Sequence, residues 1–234
     1  AGIGIYSARQ NRAEMAKKYG GSPVTEESVD RGLEYLYKNQ KSDGSWEAPV
    51  PYEGVEWNDK DPTAGVTGLA TLAFLGAGYT CDSLHKYAKT IRKAVDFLAD
   101  LQRSDGMIGD GFMYNHCIAT IAISEAYAVG GARHIKDNVE KAIQVLLDAQ
   151  KVNQDGGWRY TPTNTDADLS ITGWAIMALK DASLGGIFDK ESSSAIDKAI
   201  EYVIKCDGRY KPNYYTAGKG TAAIGIFCLS IKVE

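Results

Sequence analysis

Gln40-Lys41-Ser42-Asp43-Gly44-Ser45-Trp46 closes a segment that opens with Arg31-Gly32-Leu33-Glu34-Tyr35-Leu36, and residues 31–46 return three times in worn form. The second copy runs from Lys93-Ala94-Val95-Asp96-Phe97-Leu98 to Gln102-Arg103-Ser104-Asp105-Gly106. The third runs from Lys141-Ala142-Ile143-Gln144-Val145-Leu146 to Gln150 and Gly156-Gly157-Trp158. The fourth, Lys198-Ala199-Ile200-Glu201-Tyr202-Val203, ends in Asp207-Gly208-Arg209-Tyr210. Between the markers Gly32, Ala94, Ala142 and Ala199 the spacings are 62, 48 and 57 residues, room for two helices and two loops each. A repeat of this size means a fold assembled from like units.

Within each copy the apolar residues follow a helical period. Leu33, Tyr35 and Leu36, then Val95, Phe97, Leu98 and Leu101, form a stripe, with Glu34, Lys38, Asp96 and Asp100 on the other side. The Asp-Gly after the glutamine is expected to stop the helix, because glycine accepts the positive φ of a C-terminal cap. The tryptophan beyond is expected to fold back over the helix end and place its indole N–H on a partner. A second helical run follows each first one, at residues 65–76, 116–129, 169–182 and 219–231, rich in Ala, Gly, Thr, Ile and Leu and poor in charge. Helices apolar on all sides must be covered on most of them. The first helix of each pair is therefore outer and the second inner.

Aligning the inner runs on Val66-Thr67-Gly68, Ile118-Ala119-Thr120 and Ile171-Thr172-Gly173 puts Thr63, Asn115 and Asp168 in one column, all competent N-caps. Ahead of the repeats, residues 7–19 read as a short charged helix capped by Ser7 and stopped by Gly20-Gly21. Thr25-Glu26-Glu27-Ser28 supplies the expected start of the first outer helix. The organisation is a lead segment, 1–27, and a repeat domain, 28–234. The fold class is all-α, four outer–inner helical hairpins.

The bulk numbers fit a globular chain: 234 residues, 44% hydrophobic, 24% charged. A net charge of −4 gives no reason to expect nucleic acid, which needs a basic excess. No apolar run approaches the roughly 18–20 residues of a membrane span. The sequence starts Ala1-Gly2-Ile3-Gly4 without methionine, so an upstream leader or anchor and the compartment stay open. Cys81, Cys117, Cys206 and Cys228 form no Cys-x-x-Cys pair, and Cys117 and Cys228 lie in apolar runs that suit buried free thiols. No Gly-rich phosphate loop, Gly-x-Ser-x-Gly elbow or His-Glu-x-x-His is present, and no cofactor is expected.

The pattern Lys/Arg–Gly/Ala–x2–aromatic–Leu–x3–Gln–x3–Gly–x–Trp, complete from Arg31 to Trp46, resembles the glutamine-tryptophan repeat of squalene-hopene and oxidosqualene cyclases. More distantly it resembles protein prenyltransferase β subunits. Ile108 replaces the tryptophan in copy two, copy three carries two extra residues before Gly156, and Cys206 replaces the glutamine in copy four. A nearer likeness, through Phe74-Leu75-Gly76-Ala77-Gly78, residues 119–127 and Gly156-Gly157-Trp158-Arg159-Tyr160, is to bacterial prenyltransferase/squalene-oxidase repeat proteins. The resemblance implies an α/α toroid. Complete toroids have about six hairpins and this sequence offers four, which implies an open arc or part of a longer array.

The resemblance also implies an acid. Protonating terpene cyclases carry Asp-x-Asp-Asp at an inner-helix start, and Asp166-Ala167-Asp168-Leu169 falls at that place. Asp168 matches the proton donor and Asp166 the first position, while Leu169 replaces the last. Such an acid must be held protonated by its surroundings. The alternative is that Asp168 is only an N-cap. Asn115-His116-Cys117 holds two zinc-ligand types, but zinc needs three or four convergent ligands and His85 and His134 fall on the outer side, so no metal site is expected. His116 is expected at a cavity mouth or bonded to a neighbouring repeat. Glu125, among Ile118, Ile121 and Ala122, must be paired or protonated, and is read as bridging repeats or touching a ligand. Tyr114, Trp158, Arg159, Tyr160, Trp174, Tyr214 and Tyr215 gather at the inner-helix entrances, as core filling or as an aromatic wall.

Three functions follow from these readings. One is a non-catalytic domain whose concave face takes an apolar small molecule or a protein segment. Another is a divergent terpene cyclase using Asp168. The last is a carbohydrate-active α/α enzyme with carboxylates and aromatics at the toroid mouth. Further toroid repeats or self-association are the expected protein partners.

Overall fold

The computed structural model describes residue 9 and residues 11–47, 61–214 and 218–233. Over these residues the protein is helical: α1 (Arg12–Lys18), α2 (Pro23–Asn39), α3 (Thr63–Gly76), α4 (Tyr87–Asp100), α5 (Met113–Val129), α6 (Lys136–Val152), α7 (Leu169–Leu184), α8 (Asp189–Cys206) and α9 (Lys219–Val233). No strand occurs among the described residues; Gln102 and Ile108 form an isolated antiparallel bridge. Helices α2, α4, α6 and α8 are the outer members and α3, α5, α7 and α9 the inner ones.

Burial separates the two sets as the periodicity requires. α4 buries one stripe, Tyr87, Ala88, Thr90, Ile91, Ala94, Val95 and Leu98. Tyr35 of α2, expected on the stripe, is instead exposed, because it lies two positions from Leu33 and so off its face. α5 buries fourteen of its seventeen residues. The broadest helix contacts are those of α3 with α5 and of α5 with α7. Each of α4, α6 and α8 rests on its own inner helix and on the one before it. Small residues allow the close approach: a Cβ on Gly68 would stand 3.0 Å from the Ile118 carbonyl oxygen, and one on Gly173 would stand 2.9 Å from Ile224 Cγ2. All four cysteines are free and buried.

The repeated glutamine has one structural task, performed three times. Gln40 Nε2 donates to the carbonyls of Gly44 and Thr90, Gln102 Nε2 to those of Gly106 and Asn138, and Gln150 Nε2 to those of Gly156 and Ala195. It ties its own turn to the next outer helix. The glycine lies against that same helix: a Cβ on Gly44 would come 2.2 Å from the Lys93 carbonyl oxygen, at φ +98°. The tryptophans fold back as expected, Trp46 Nε1 onto the Leu36 carbonyl and Trp158 Nε1 onto that of Leu146, both at 2.8 Å.

Several boundaries differ from the sequence expectation. α2 starts at Pro23 rather than at residue 25, because Ser22 caps it reciprocally with Thr25. The 27/28 boundary therefore falls inside a helix. The helix end is not at the Asp-Gly either: α2 stops at Asn39 with an extended Gln40, and Gly44 belongs to the following turn. Only α1, shorter than residues 7–19, is described of the lead helix, and its expected cap Ser7 lies outside the described residues, as does most of the loop after Glu47.

The N-cap column is corrected most. Asp168 does cap α7, accepting from Ile171 N–H, but the residues before α3 and α5 are Pro62 and Phe112, and neither caps through its side chain. Thr63 is instead the first residue of α3, held by Asp61. Asn115 lies inside α5, donating to the Asp61 carbonyl and to Asp110. The structural column is thus Pro62, Phe112 and Asp168.

Candidate functional site

On that corrected register the starts of the inner helices bind the loops of the repeats by a common pattern. The N–H of Met113, first in α5, donates to the Tyr160 carbonyl of the next repeat, and that of Leu169, first in α7, donates to the Tyr210 carbonyl. These bonds satisfy N–H groups that a helix start leaves free. A further inner-helix side chain receives the backbone N–H of the loop position that tryptophan occupies. Thr67 accepts from Trp46, Thr172 from Trp158, and His116 Nδ1 from Ile108 at 3.1 Å.

His116 is therefore a neutral connector. Its Nδ1 accepts, so Nε2 carries the proton and donates to the Ala142 carbonyl of α6 at 3.1 Å. Burial lowers its pKa to about 4. It has no exposed surface and lies at no cavity mouth; the bond to a neighbouring repeat is what the structure realises. Among the described residues no three His, Cys, Asp or Glu side chains gather closely enough to hold a metal ion.

Glu125 lies eleven residues beyond Tyr114 on α5, about 16 Å along the helix axis, and so away from the other candidates. It is 4% exposed and pairs with Arg9 of the lead segment rather than with another repeat. Burial raises its pKa, and the Arg9 charge and hydrogen bond work against that rise.

Asp168 and its neighbours form the chemically richest cluster. Its Oδ1 accepts from Ile171 N–H at 3.0 Å and from Ser170 Oγ at 2.6 Å. Its Oδ2 is buried and has no hydrogen-bond partner. Ser170 Oγ lies 2.5 Å from the Tyr114 hydroxyl of α5, completing the line Tyr114–Ser170–Asp168. Burial raises the Tyr114 pKa. Asp166, two residues earlier, points elsewhere: its side chain is about half exposed and pairs with Arg159. Leu169, at the place of the last acid, is fully buried.

The aromatics divide into two groups. Phe112, Tyr114 and Tyr160 stack with centroids 5.5–6.4 Å apart, Arg159 lies over Tyr160, and Tyr160 shares a 2.5 Å hydroxyl contact with Tyr210, whose ring meets Tyr214 at 5.5 Å. This band joins three repeats at the inner-helix starts. Trp174 belongs elsewhere, to a groove of about 310 Å³ between α7 and α9 that it lines with Ser170, Gly173, Met177, Ile224 and Phe227, together with Ala223. None of the lining residues is charged. Ser170 alone belongs both to the groove and to the Asp168 cluster. The sequence reading missed Ser170 and Phe112; the Asp-x-Ser spacing at an inner-helix start was the available signal for the serine. Tyr215 lies outside the described residues.

Two curated relatives, both named squalene–hopene cyclase, are similar to this chain. The protein from Bradyrhizobium diazoefficiens is 25% identical over 214 residues, covering 81% of this chain and 31% of the relative. The one from Zymomonas mobilis is 25% identical over 214 residues, covering 82% and 31%. The chain thus spans under a third of the length of the curated relatives it matches. Residues 49–228 match the model of the squalene-hopene cyclase C-terminal domain. With the helical hairpins, the inner-helix seams and that match in hand, the chain belongs to the squalene-hopene cyclase C-terminal domain family.

Proposed function

We propose that this domain binds an apolar small molecule of the isoprenoid class in the groove between α7 and α9. The observation that carries this reading is the groove's lining: Trp174, Met177, Ile224 and Phe227 around the backbone of Gly173, with one hydroxyl and no charge. About 310 Å³ lies at the lower end of small-molecule sites, which run from about 300 to 1,000 Å³ and are mostly apolar with few polar groups. The relatives' names point to squalene, hence to isoprenoid chains as the first ligands to try. A titration with farnesene followed by tryptophan fluorescence, with Trp174→Phe to assign the signal, tests it. Saturable binding is expected, and Phe227→Asp, a charge placed at a 45% exposed position, should weaken it at least tenfold without unfolding the helices. Farnesene binding that is absent, or that Phe227→Asp leaves unchanged, would remove the groove from the argument.

A second reading is favoured by one observation. Asp168 is a fully buried carboxyl group with an unpartnered oxygen, linked through Ser170 to that groove. A carboxyl group beside an apolar groove is the residue type that proton transfer to an alkene calls for. Its support is weaker, because Asp166 is engaged with Arg159 and Leu169 brings no second acid. Incubation with squalene and analysis for cyclised products, wild type against Asp168→Asn, decides it: products lost in the variant support the acid, and none from the wild type ends it.

A further inference from the structure

Resting on the groove reading above, we infer that Ser170 makes this groove selective for isoprenoid ligands carrying a hydrogen-bond donor, aliphatic alcohols above all. The inference comes from counting protons and lone pairs along Tyr114–Ser170–Asp168. A serine hydroxyl offers one proton and two lone pairs. Asp168 Oδ1 accepts from Ile171 N–H, so it acts as an acceptor on this side, and the Ser170 proton goes to it at 2.6 Å. Across the 2.5 Å contact with Ser170, the proton must then come from Tyr114. Both hydroxyl protons are spent inside the protein.

What remains on Ser170 is one lone pair, on the hydroxyl-bearing residue that lines the groove among the described residues. A ligand hydroxyl can donate to it. A carbonyl or ether oxygen in the same place would set lone pair against lone pair, with no proton between them. A pure hydrocarbon would cover the serine oxygen and leave that lone pair without water. Placing a proton on the free Oδ2 of Asp168 changes none of this, since Oδ1 keeps both of its donors. The groove therefore discriminates at its polar corner and is permissive along its apolar wall.

The test compares farnesol with its aldehyde, its methyl ether and farnesene on the same protein. The aldehyde has the alcohol's size without its proton. Farnesol should bind about five- to tenfold more tightly than the aldehyde or the ether, the worth of one neutral hydrogen bond. Ser170→Ala should erase that preference and leave farnesene binding in place, a split that a merely structural role for the serine would not produce. Tyr114→Phe should keep the preference, because it frees a second lone pair on the same oxygen. Equal affinities across the four ligands in the wild type overturn the inference while leaving the groove reading intact. A preference that persists in Ser170→Ala overturns it too. Failure of all four ligands to bind brings down the groove reading itself. Should Ser170→Ala not fold, the wild-type ranking of alcohol against aldehyde remains decisive.

Discussion

Helices α5 and α9 are both built from small and branched apolar residues with few charges. Yet α5 buries fourteen of its seventeen residues, whereas Ile226, Phe227 and Leu229 of α9 remain 71%, 45% and 40% exposed. The difference is in the neighbours. α5 is flanked by inner helices α3 and α7 and backed by outer helices α4 and α6. α9 packs on α7 and α8. An all-round apolar sequence declares how much cover a helix can accept, and the helices packed against it decide how much it receives. The groove exists where that cover is partial, at the seam of α7 with α9. At the seams of α5, the same kinds of residue close into core.

The sharpest way to break this comparison is to delete the same atoms from both helices. Ile121→Ala in α5 removes a side chain that is 1% exposed and should cost about 3–4 kcal/mol in urea unfolding. Ile226→Ala in α9 should cost no more than about 0.5 kcal/mol. Similar losses at the two positions would mean that α9 is covered in solution as fully as α5.

A slightly smaller effect is expected from acid, and it is read from the closed side of the molecule. His116 is fully buried, and its pKa falls from 6.5 to about 4 because burial penalises the charged ring. The unfolded chain takes up the proton as the pH drops through 6.5, while the folded chain does so only near 4. Stability is therefore complete above 6.5 and is lost progressively between those values, by about 3 kcal/mol at the lower end. His116→Gln can keep an acceptor for Ile108 and a donor for Ala142, and it should flatten that slope. An unchanged slope in the variant would place the titration elsewhere.

The comparison also shows why the fold was legible and the site only in part. Hairpins, and the assignment of inner and outer helices, are written in composition: stripes in the outer helices, charge-poor runs in the inner ones. The expected inner span 65–76 differs from α3 by two residues at its start. The register between inner helices is not written there. Runs of alanine, glycine, threonine and isoleucine match one another at several offsets, and the true column, Pro62, Phe112 and Asp168, shares no residue type. The slips of one residue at α3 and three at α5 followed from that, and with them the placement of Thr63 and Asn115 as caps. His116 stands where the first and third copies place Thr67 and Thr172, accepting the same loop N–H, and its longer side chain also reaches the next outer helix at Ala142. For Ser170 the Asp-x-Ser spacing was the one signal, and it tells of a bond to Asp168 but not of the groove on the serine's other side.

Glu125 sets the opposite sign to His116 within the same helix, and it sharpens the comparison at the smallest scale. Burial raises its pKa above the ordinary 4.5, and Arg9 only partly opposes this. A carboxyl group that holds its proton longer in the folded state than in the unfolded one favours folding most below the ordinary pKa. That advantage is lost as the pH rises through the window between 4.5 and the raised value. At neutral pH the buried charge is therefore a cost, moderated by the ion pair. Glu125→Gln should leave the melting temperature at pH 7 equal to or slightly above the wild type's, with the gap closing towards pH 4.5. Arg9→Ala should lower it in the wild type, because an unpaired buried carboxylate is worse than a paired one, and should lower it less in the Glu125→Gln background. Additive losses in that double-mutant cycle would show that Arg9 stabilises the arc by some route other than Glu125. The lead segment would then lose its assigned role as the counter-charge for the one carboxylate buried in α5.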